Sequence, residues 1–266
     1  MGQKTFVLGI VLYYPTDEQI QSVYSYISVG CFKKIIVINN TPNNNISFNN
    51  DLIVCVNNNV NLGLSKPYNM MIELSKDVDY LCLMDQDSKY DEQEIYNMID
   101  YINNNQSLMD DVGIIAPRSY ASISKKVERS NTITEAKYVI NSGSFLNLQT
   151  IMNKKIKYDE NIFLDYLDVD FCYLLRKSGL KVVIYENSVL YQSLGYDAAG
   201  NKKANHAAIR FYYMNKGRKH SYIKRYGYIV GFLLSFFKMF KTMSYVIMCE
   251  DKKTKKIVSC LKGVFC

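Results

Sequence analysis

Two aspartates, Asp85 and Asp87, stand directly after an apolar run of the chain, residues 80–84. Such a run predicts a buried strand, and side chains two positions apart on an extended chain point to the same side. Both carboxylates are therefore expected together at the C-terminal end of the strand, where open α/β sheets bind their ligands. Carboxylate oxygens suit Mg²⁺ or Mn²⁺ shared with substrate phosphates. The pair predicts metal-assisted chemistry on a phosphorylated, nucleotide-linked substrate.

The acidic pair has other interpretations. Acidic residues after a strand also occur in solvated turns and as helix N-caps. A calcium loop of the EF-hand type is excluded, because Lys89 and Tyr90 stand where an oxygen ligand and a glycine are required. An aspartate-nucleophile phosphatase also has Asp-x-Asp after a strand, but we expect that strand near the start of a domain, and here three strand-like segments precede it.

Strand-like and helix-like segments alternate in the first half of the chain. We predict strands over residues 6–13, 34–39, 52–56, 80–84 and 112–116, and helices over 17–30, 65–75 and 91–104. The helix at 17–30 is expected to be capped by Asp17. The alternation predicts a Rossmann-like α/β fold, with a mostly parallel sheet flanked by helices. Beyond it we predict a loop over 118–130, a strand over 138–147, a helix over 168–178 and strands over 181–185 and 189–192.

Cysteine and histidine usage restricts the class of protein. The seven cysteines are odd in number, include no Cys-x-x-Cys and stand partly in apolar runs, which favours reduced thiols in a cytosolic protein. With His206 and His220 as the only histidines, neither a structural zinc site nor a Ser–His–Asp triad is indicated. No signal peptide is recognisable before the first strand.

Positive charge is concentrated at the end of the chain. Residues 202–266 hold 15 Lys/Arg against 2 Asp/Glu, a net charge of +13, whereas residues 1–201 hold 17 against 23, a net charge of −6. Residues 228–237 carry no charge, and we interpret this stretch as too short to span a membrane. We predict a domain over 1–220 and a basic amphipathic helical tail over 221–266 that contacts an anionic membrane surface. A tail packed on the domain is the alternative, and no nucleic-acid-binding signature is present.

Seven segments in order over residues 6–218 match the motifs of one enzyme family. They are Val11-Leu-Tyr-Tyr-Pro15, Val37-Ile-Asn-Asn-Thr41, Asn61-Leu-Gly-Leu-Ser-Lys-Pro-Tyr-Asn69, Met84-Asp-Gln-Asp-Ser88, Asn141-Ser-Gly-Ser144, Phe163-Leu-Asp-Tyr-Leu-Asp-Val-Asp-Phe-Cys-Tyr-Leu-Leu-Arg176 and Arg210-Phe-Tyr-Tyr213. With them the chain resembles inverting nucleotide-sugar glycosyltransferases of family two, which have the GT-A fold. It is most similar to their bacterial rhamnosyltransferase branch.

The resemblance implies a role for each matched residue. Asp85 and Asp87 would bind Mn²⁺ or Mg²⁺ with Gln192, and Asp168 would be the general base, with Asp165 and Asp170 as nearby alternatives. An ordinary helix N-cap is the other interpretation of Asp168. The residues implied to bind the nucleotide sugar are Tyr13, Asn39, Asn61, Gly63, Lys66, Asp85, Gln86, Lys216 and Arg218. The residues implied to line the acceptor cleft are Ser142, Gly143, Asp165, Arg210 and Tyr213.

Three of these residues also have simpler interpretations. Gly63 more often provides only a turn with positive φ. Ser142 and Gly143 equally fit plain packing of a strand.

Three positions depart from the family pattern. Gln192 stands where a histidine is usual, and Asn39 replaces an acid that often reads the pyrimidine base. Lys216 stands where an arginine is usual, so it lacks the bidentate fork of a guanidinium, although Arg218 follows closely. Gln192 and Asn39 are the main support for an alternative function, a non-catalytic nucleotide-sugar-binding or membrane scaffold protein.

The leading expectation is an inverting enzyme of surface polysaccharide synthesis, such as a capsule. It would be cytoplasmic, peripheral on the inner face of the cell membrane, and would act on a lipid-linked saccharide. Rhamnose on dTDP is the donor that the branch implies, and hexoses on UDP share these motifs. A metal-dependent phosphatase or nucleotidyltransferase is a third possibility, which would release phosphate or pyrophosphate instead of a nucleoside diphosphate.

Overall fold

Eight strands form a single mixed sheet in the computed structural model, which describes residues 2–120, 129–191 and 206–266. The strands are β1 (Phe6–Leu12), β2 (Lys34–Asn39), β3 (Ile53–Asn57), β4 (Tyr80–Asp85), β5 (Val112–Tyr120), β6 (Ile133–Glu135), β7 (Phe145–Asn147) and β8 (Lys181–Tyr191). The helices are α1 (Asp17–Ser28), α2 (Ser65–Leu74), α3 (Glu92–Asn104), α4 (Leu148–Asn153), α5 (Leu167–Lys177), α6 (Ala208–Tyr226), α7 (Tyr228–Cys249) and α8 (Lys253–Phe265).

The strand order brings the predicted site residues to one edge of the sheet. The order is β3-β2-β1-β4-β7-β5-β8-β6, with β3, β2, β1 and β4 mutually parallel. In this register Leu12 pairs with Asn39, and Val11 pairs with Asp85. The carboxyl ends of β1, β2 and β4 therefore lie side by side, as the alternation of strands and helices predicted.

Helices cover both faces of the parallel part of the sheet, which explains why its strands are apolar throughout. All seven residues of β1 are buried, as expected for a strand with helices on both sides. One face packs against Val23 of α1 and Met98 of α3. The other packs against Met71 of α2 and Phe171 of α5. The predicted mixed α/β fold is confirmed.

Several predicted boundaries were wrong for identifiable physical reasons. Thr16, and not Asp17, caps α1 through a capping box with Gln19. The strand predicted over 138–147 is confined to β7, because Gly143 has φ +75° and turns the chain just before it. The two short strands predicted over 181–185 and 189–192 form one strand, β8, whose pairing with β5 contains an irregularity after Pro117. Strand β6 was not predicted.

The C-terminal region contains three helices that pack on one another. Phe211 of α6, Met239 and Val246 of α7, and Cys260 and Val264 of α8 form a separate apolar cluster. Helix α6 runs through residue 220, so the predicted boundary between domain and tail falls inside a helix. The region therefore has a small core of its own.

Helix α7 is longer than the sequence argument allowed. It has 22 residues and is long and apolar enough to cross a membrane by length and composition alone. The prediction that this stretch is too short to span a membrane was wrong, because the helix continues past Lys238 and Lys241 to Cys249. One face of α7 packs on α6 and α8, and the opposite face is exposed, with Ile229 at 74% and Phe237 at 67% exposure.

Candidate active site

Four aspartates and one arginine meet at the carboxyl end of β4. Asp85 ends β4 and Asp87 follows it, while Asp165 and Asp168 lie just before and within the first turn of α5. Arg210, in the first turn of α6, places its Nε 3.1 Å from both carboxylate oxygens of Asp165. The charge of Arg210 also lowers the pKa values of Asp85 and Asp168 against the larger effects that raise them. Residues from three distant segments of the chain thus form one charged cluster.

Asp85 lies in an environment that disfavours its charge. Burial, followed by the neighbouring charge of Asp87, raises the pKa of Asp85 to about 6. The Tyr68 hydroxyl, on α2, donates a hydrogen bond of 3.4 Å to Asp85 Oδ1 and partly offsets this. Negative charge is therefore in excess at the end of β4, and a cation bound there would relieve it.

The Asp168 carboxyl group is desolvated and does not cap the helix. Burial raises the pKa of its carboxyl group, and Asp165 adds to the effect, while the Val169 backbone N–H donates to Asp168 Oδ1 at 2.8 Å. The N-cap of α5 is Tyr166, so the interpretation of Asp168 as an N-cap is wrong. Tyr166 has φ +82°, a backbone conformation that costs about 1–3 kcal/mol in a residue other than glycine. Such strain is typical of functional sites.

The turn at residues 141–144 holds the end of β4 in place. Ser142 is buried, and its hydroxyl accepts a hydrogen bond of 3.2 Å from the Asp85 backbone N–H. Gly143 donates its N–H to the Leu83 carbonyl at 2.7 Å, and a Cβ at Gly143 would lie 3.0 Å from Pro117. Ser142 and Gly143 thus fix the position of the end of β4 through hydrogen bonds to its backbone.

The Gly63 turn positions the segment that carries Asp165 and Asp168. Gly63 has φ +72°, as its turn interpretation predicted, and its N–H donates to Asn61 Oδ1 at 2.9 Å. A Cβ at Gly63 would lie 2.1 Å from the Phe163 carbonyl oxygen, so the two backbones are in close contact. That same oxygen accepts a hydrogen bond from the Leu64 N–H at 2.7 Å. The Asn61 side chain and the Gly63 backbone therefore make contacts within the protein itself.

Three residues predicted to bind the nucleotide differ in how much of their side chain is free. The Gln86 amide pairs with the backbone of Tyr13, accepting from its N–H at 2.7 Å and donating to its carbonyl at 3.2 Å. Asn39 is fully buried and donates both amide hydrogens internally, to Asn44 and Asn57. Base reading by Asn39 is therefore not supported by its geometry. The Tyr13 ring is exposed beside the site.

The remaining predicted residues divide between the site and its surroundings. Lys66 is exposed in the first turn of α2. The Tyr213 ring stacks on Phe163 at 4.3 Å and supports the loop before α5. Lys216 donates to the Tyr212 hydroxyl at 3.1 Å, and Arg218 to Thr242 of α7 at 3.2 Å. These hydrogen bonds of Lys216 and Arg218 are thus with α6 and α7, and the Arg218 guanidinium also lies over the Tyr166 ring, 5.8 Å from its centroid.

Asp170 and Gln192 are the last two residues for which the sequence predicted a role or an environment. Asp170 was expected to face solvent or a lysine; it is buried, accepts a hydrogen bond from Ser221, and has the Lys224 ammonium at 3.6 Å. The solvent alternative is wrong. Gln192 lies outside the described residues. Sequence reasoning missed Tyr68, although it stands inside the matched segment that ends at Asn69.

The donor groups fit a magnesium or manganese ion shared with a substrate. Within residues 2–120, 129–191 and 206–266, no group of three His, Cys, Asp or Glu side chains is arranged to hold a metal ion. Asp85 and Asp87 provide two hard carboxylates where negative charge is in excess. Mg²⁺ sites commonly have one or two carboxylates and complete their coordination with phosphate oxygens and water.

Comparisons with known proteins establish the fold. No protein-family profile matches the chain, and no curated protein sequence matches it. The crystal structure of S. aureus TarS 1-349 in complex with UDP-GlcNAc superposes with a TM-score of 0.58 at 11% sequence identity, covering 98% of this chain and 81% of that chain. GalNAc-T7 with UDP, GalNAc and Mn²⁺ superposes with a TM-score of 0.60 at 10% identity, covering 96% of this chain and 54% of that chain. At these identities the likeness shows the fold alone, and it confirms the predicted GT-A class.

Proposed function

We propose that the protein is a metal-dependent inverting glycosyltransferase that uses a nucleoside-diphosphate sugar. One observation carries the proposal: Asp85, Asp87 and Asp168 meet at the carboxyl end of β4, where α/β sheets bind their ligands. The solved structures with this fold include proteins bound to UDP-GlcNAc and to UDP with Mn²⁺, which supports a donor of this class. The donor that the sequence motifs favour is dTDP-rhamnose or a UDP-hexose.

The arrangement suits a single displacement at the sugar carbon. Asp168 takes the proton of the acceptor hydroxyl as its oxygen attacks the anomeric carbon, and the bond to the diphosphate oxygen breaks on the opposite face. The configuration at this carbon is therefore inverted, and the nucleoside diphosphate leaves. Mg²⁺ or Mn²⁺ bound by Asp85 and Asp87 would supply Lewis-acid stabilisation of that leaving group. The raised pKa of Asp168 makes it a stronger base than an ordinary carboxylate.

The proposed acceptor is a lipid-linked saccharide at the inner face of the cell membrane, in the synthesis of a surface polysaccharide. The exposed apolar face of α7 lies in a C-terminal region whose net charge is +13 over residues 202–266. Apolar side chains that enter the interface, together with lysines that attract anionic lipid, characterise helices that lie on a membrane. The other face of α7 packs on α6 and α8. This packing favours a helix that lies on the membrane surface over one that crosses the bilayer.

Release of nucleoside diphosphate from a panel of nucleotide sugars tests the proposal. Wild-type protein with Mn²⁺ is expected to hydrolyse or transfer at least one sugar, and EDTA is expected to stop the release. The Asp85→Asn and Asp87→Asn variants should lose turnover and bind the donor more weakly. Asp100→Asn is the matched control, because Asp100 is an exposed aspartate of α3. Full activity in the Asp85→Asn/Asp87→Asn double variant would contradict the metal role.

A further inference from the structure

A cavity extends from the aspartate cluster toward α7. It has a volume of about 700 Å³, which is within the range of small-molecule sites. Asp165 and Arg210 line one part of it, and Lys238, Lys241 and Thr242 of α7 line another. Because Arg210 also acts electrostatically on Asp85 and Asp168, the cavity begins next to the proposed reaction centre.

The cavity lining carries positive charge that its own acids do not balance. Arg210 is paired with Asp165, the one acid in the lining. Arg218, Lys238 and Lys241 have no carboxylate within 4.0 Å among the residues that the structure describes. Arg218 is anchored to α7 by hydrogen bonds to Thr242 Oγ1 at 3.2 Å and to the Lys238 carbonyl at 3.4 Å. Three cations gathered in one concave site indicate an anionic ligand, and phosphate is an anion that both arginine and lysine bind through charge-assisted hydrogen bonds.

The two lysines also border the exposed apolar face of α7. Lys238 follows Phe237 and Lys241 follows Phe240 in the helix, and both phenylalanines are exposed. Adjacent residues in a helix are separated by about 100° of rotation, so the ammonium groups stand at the edge of the apolar stripe. A ligand that joins a phosphate to a long apolar chain would satisfy both surfaces at once.

We propose that this cavity binds the phosphate of a lipid-linked saccharide acceptor, an inference that rests on the proposed glycosyltransferase function. The phosphate lies against Lys238, Lys241 and Arg218, and the lipid chain leaves along the apolar face of α7. The saccharide then extends past Arg210 toward Asp168. The cavity thereby selects acceptors that carry both a phosphate and a lipid, and presents their sugar to the base.

Ligand titration tests the cavity without requiring turnover. The probes are octyl phosphate, octyl glucoside and inorganic phosphate, each titrated into the full-length protein by calorimetry below micellar concentrations and in EDTA. Wild type is expected to bind octyl phosphate at least about tenfold more tightly than inorganic phosphate, because only the octyl chain buries apolar surface. It is also expected to bind octyl phosphate at least about tenfold more tightly than octyl glucoside, since charge-assisted hydrogen bonds to the phosphate contribute more than the 1.4 kcal/mol that corresponds to a tenfold change. The Lys238→Gln/Lys241→Gln variant should lose this preference. The Lys253→Gln/Lys255→Gln variant, which removes two exposed lysines of α8, should keep it.

Each other outcome overturns a stated part of the proposal. Equal affinity for inorganic phosphate would show a site for free phosphate, and equal affinity for octyl glucoside would show that the phosphate is not recognised. An unchanged preference in Lys238→Gln/Lys241→Gln would place the ligand elsewhere. Since the titration contains neither donor nor metal, its result is separate from turnover: a wild type without metal-dependent release of nucleoside diphosphate contradicts the proposed function and not the binding site.

Discussion

Substitution of Gly63 by alanine should destabilise the protein through a backbone contact that no rotamer change can relieve. The added Cβ would lie 2.1 Å from the Phe163 carbonyl oxygen and 2.9 Å from the Phe163 carbonyl carbon. The segment before α5 must therefore move, which breaks or lengthens the hydrogen bond from the Leu64 N–H. That segment carries Asp165 and Asp168, so the loss of stability should be accompanied by a loss of activity.

The expected loss of stability in Gly63→Ala has two parts, one from the backbone conformation and one from the contact with Phe163. Gly63 has φ +72°, and alanine in the left-handed region costs about 1–2 kcal/mol. The forced movement adds about 1–3 kcal/mol, and the damaged hydrogen bond about 0.5–1.5 kcal/mol. Gly179→Ala isolates the first part, because Gly179 has φ +80° and a Cβ there would meet nothing within 4 Å. Gly63→Ala should therefore be about 1.5–4.5 kcal/mol less stable than Gly179→Ala.

Urea denaturation of the two variants and wild type measures this difference. With urea m-values of about 1–3 kcal/mol per molar, the midpoint of Gly63→Ala should lie at least about 0.5 M below that of Gly179→Ala. Displacement of a catalytic group by about 1 Å can lower a rate by about 10²-fold, so release of nucleoside diphosphate should fall in Gly63→Ala alone. Equal midpoints for the two variants would refute the argument that the contact with Phe163 requires glycine.

Three further predictions concern catalysis and membrane contact. Asp168→Asn should lower sugar transfer by about 10²-fold or more, the usual range for a general base, with donor affinity near wild type; a collapse of donor binding would instead make Asp168 a structural residue or metal ligand. Since burial raises the pKa of Asp168 and only the ionised carboxylate accepts a proton, wild-type kcat/KM should fall as the pH falls through a value above the ordinary 3.8, and Asp168→Asn should lack this limb. Ile229→Ser/Phe237→Ser should co-sediment less with anionic vesicles than wild type, whereas Leu108→Ser, an exposed apolar residue elsewhere, should not. Wild-type binding should weaken with salt without vanishing, and full-length protein that ignores these vesicles at low salt would refute the membrane contact.

The packing of the C-terminal helices changes how the membrane contact should be tested. Truncation before Tyr228 follows from treating the end of the chain as a separate tail. In the structure, that cut removes α7 and α8, which cover Phe211 of α6. Loss of vesicle binding would then be accompanied by a newly exposed apolar surface. Substitutions on the exposed face of α7 leave this core intact, so they test the lipid contact alone.

Local patterns in the chain were enough to predict the central sheet and the position of its acidic pair. The strands β1, β2 and β4 consist largely of apolar residues, so they must be buried in the protein interior. Their parallel arrangement follows from the helices between them. Asp85 and Asp87 then had to stand at the carboxyl end of β4, because they directly follow its apolar run. The period of two does not place Asp87, because β4 ends at Asp85 and residues 86 and 87 form a turn. The helix predicted over 91–104 likewise follows from a local pattern and is observed as α3, with Asp91 as its N-cap.

What the tertiary structure decided depends on contacts between distant residues. Sequence alone did not place Arg210 against Asp165, bury Asn39 among other asparagines or direct the Gln86 amide to the Tyr13 backbone. Each of these requires knowing which polar group satisfies another across the fold, and a polar side chain has many possible partners. The cavity at Lys238 likewise exists only because α7 packs against α6. Composition determined that the end of the chain is basic and apolar, and only the packing of its helices determined which side chains face the site and which face outward.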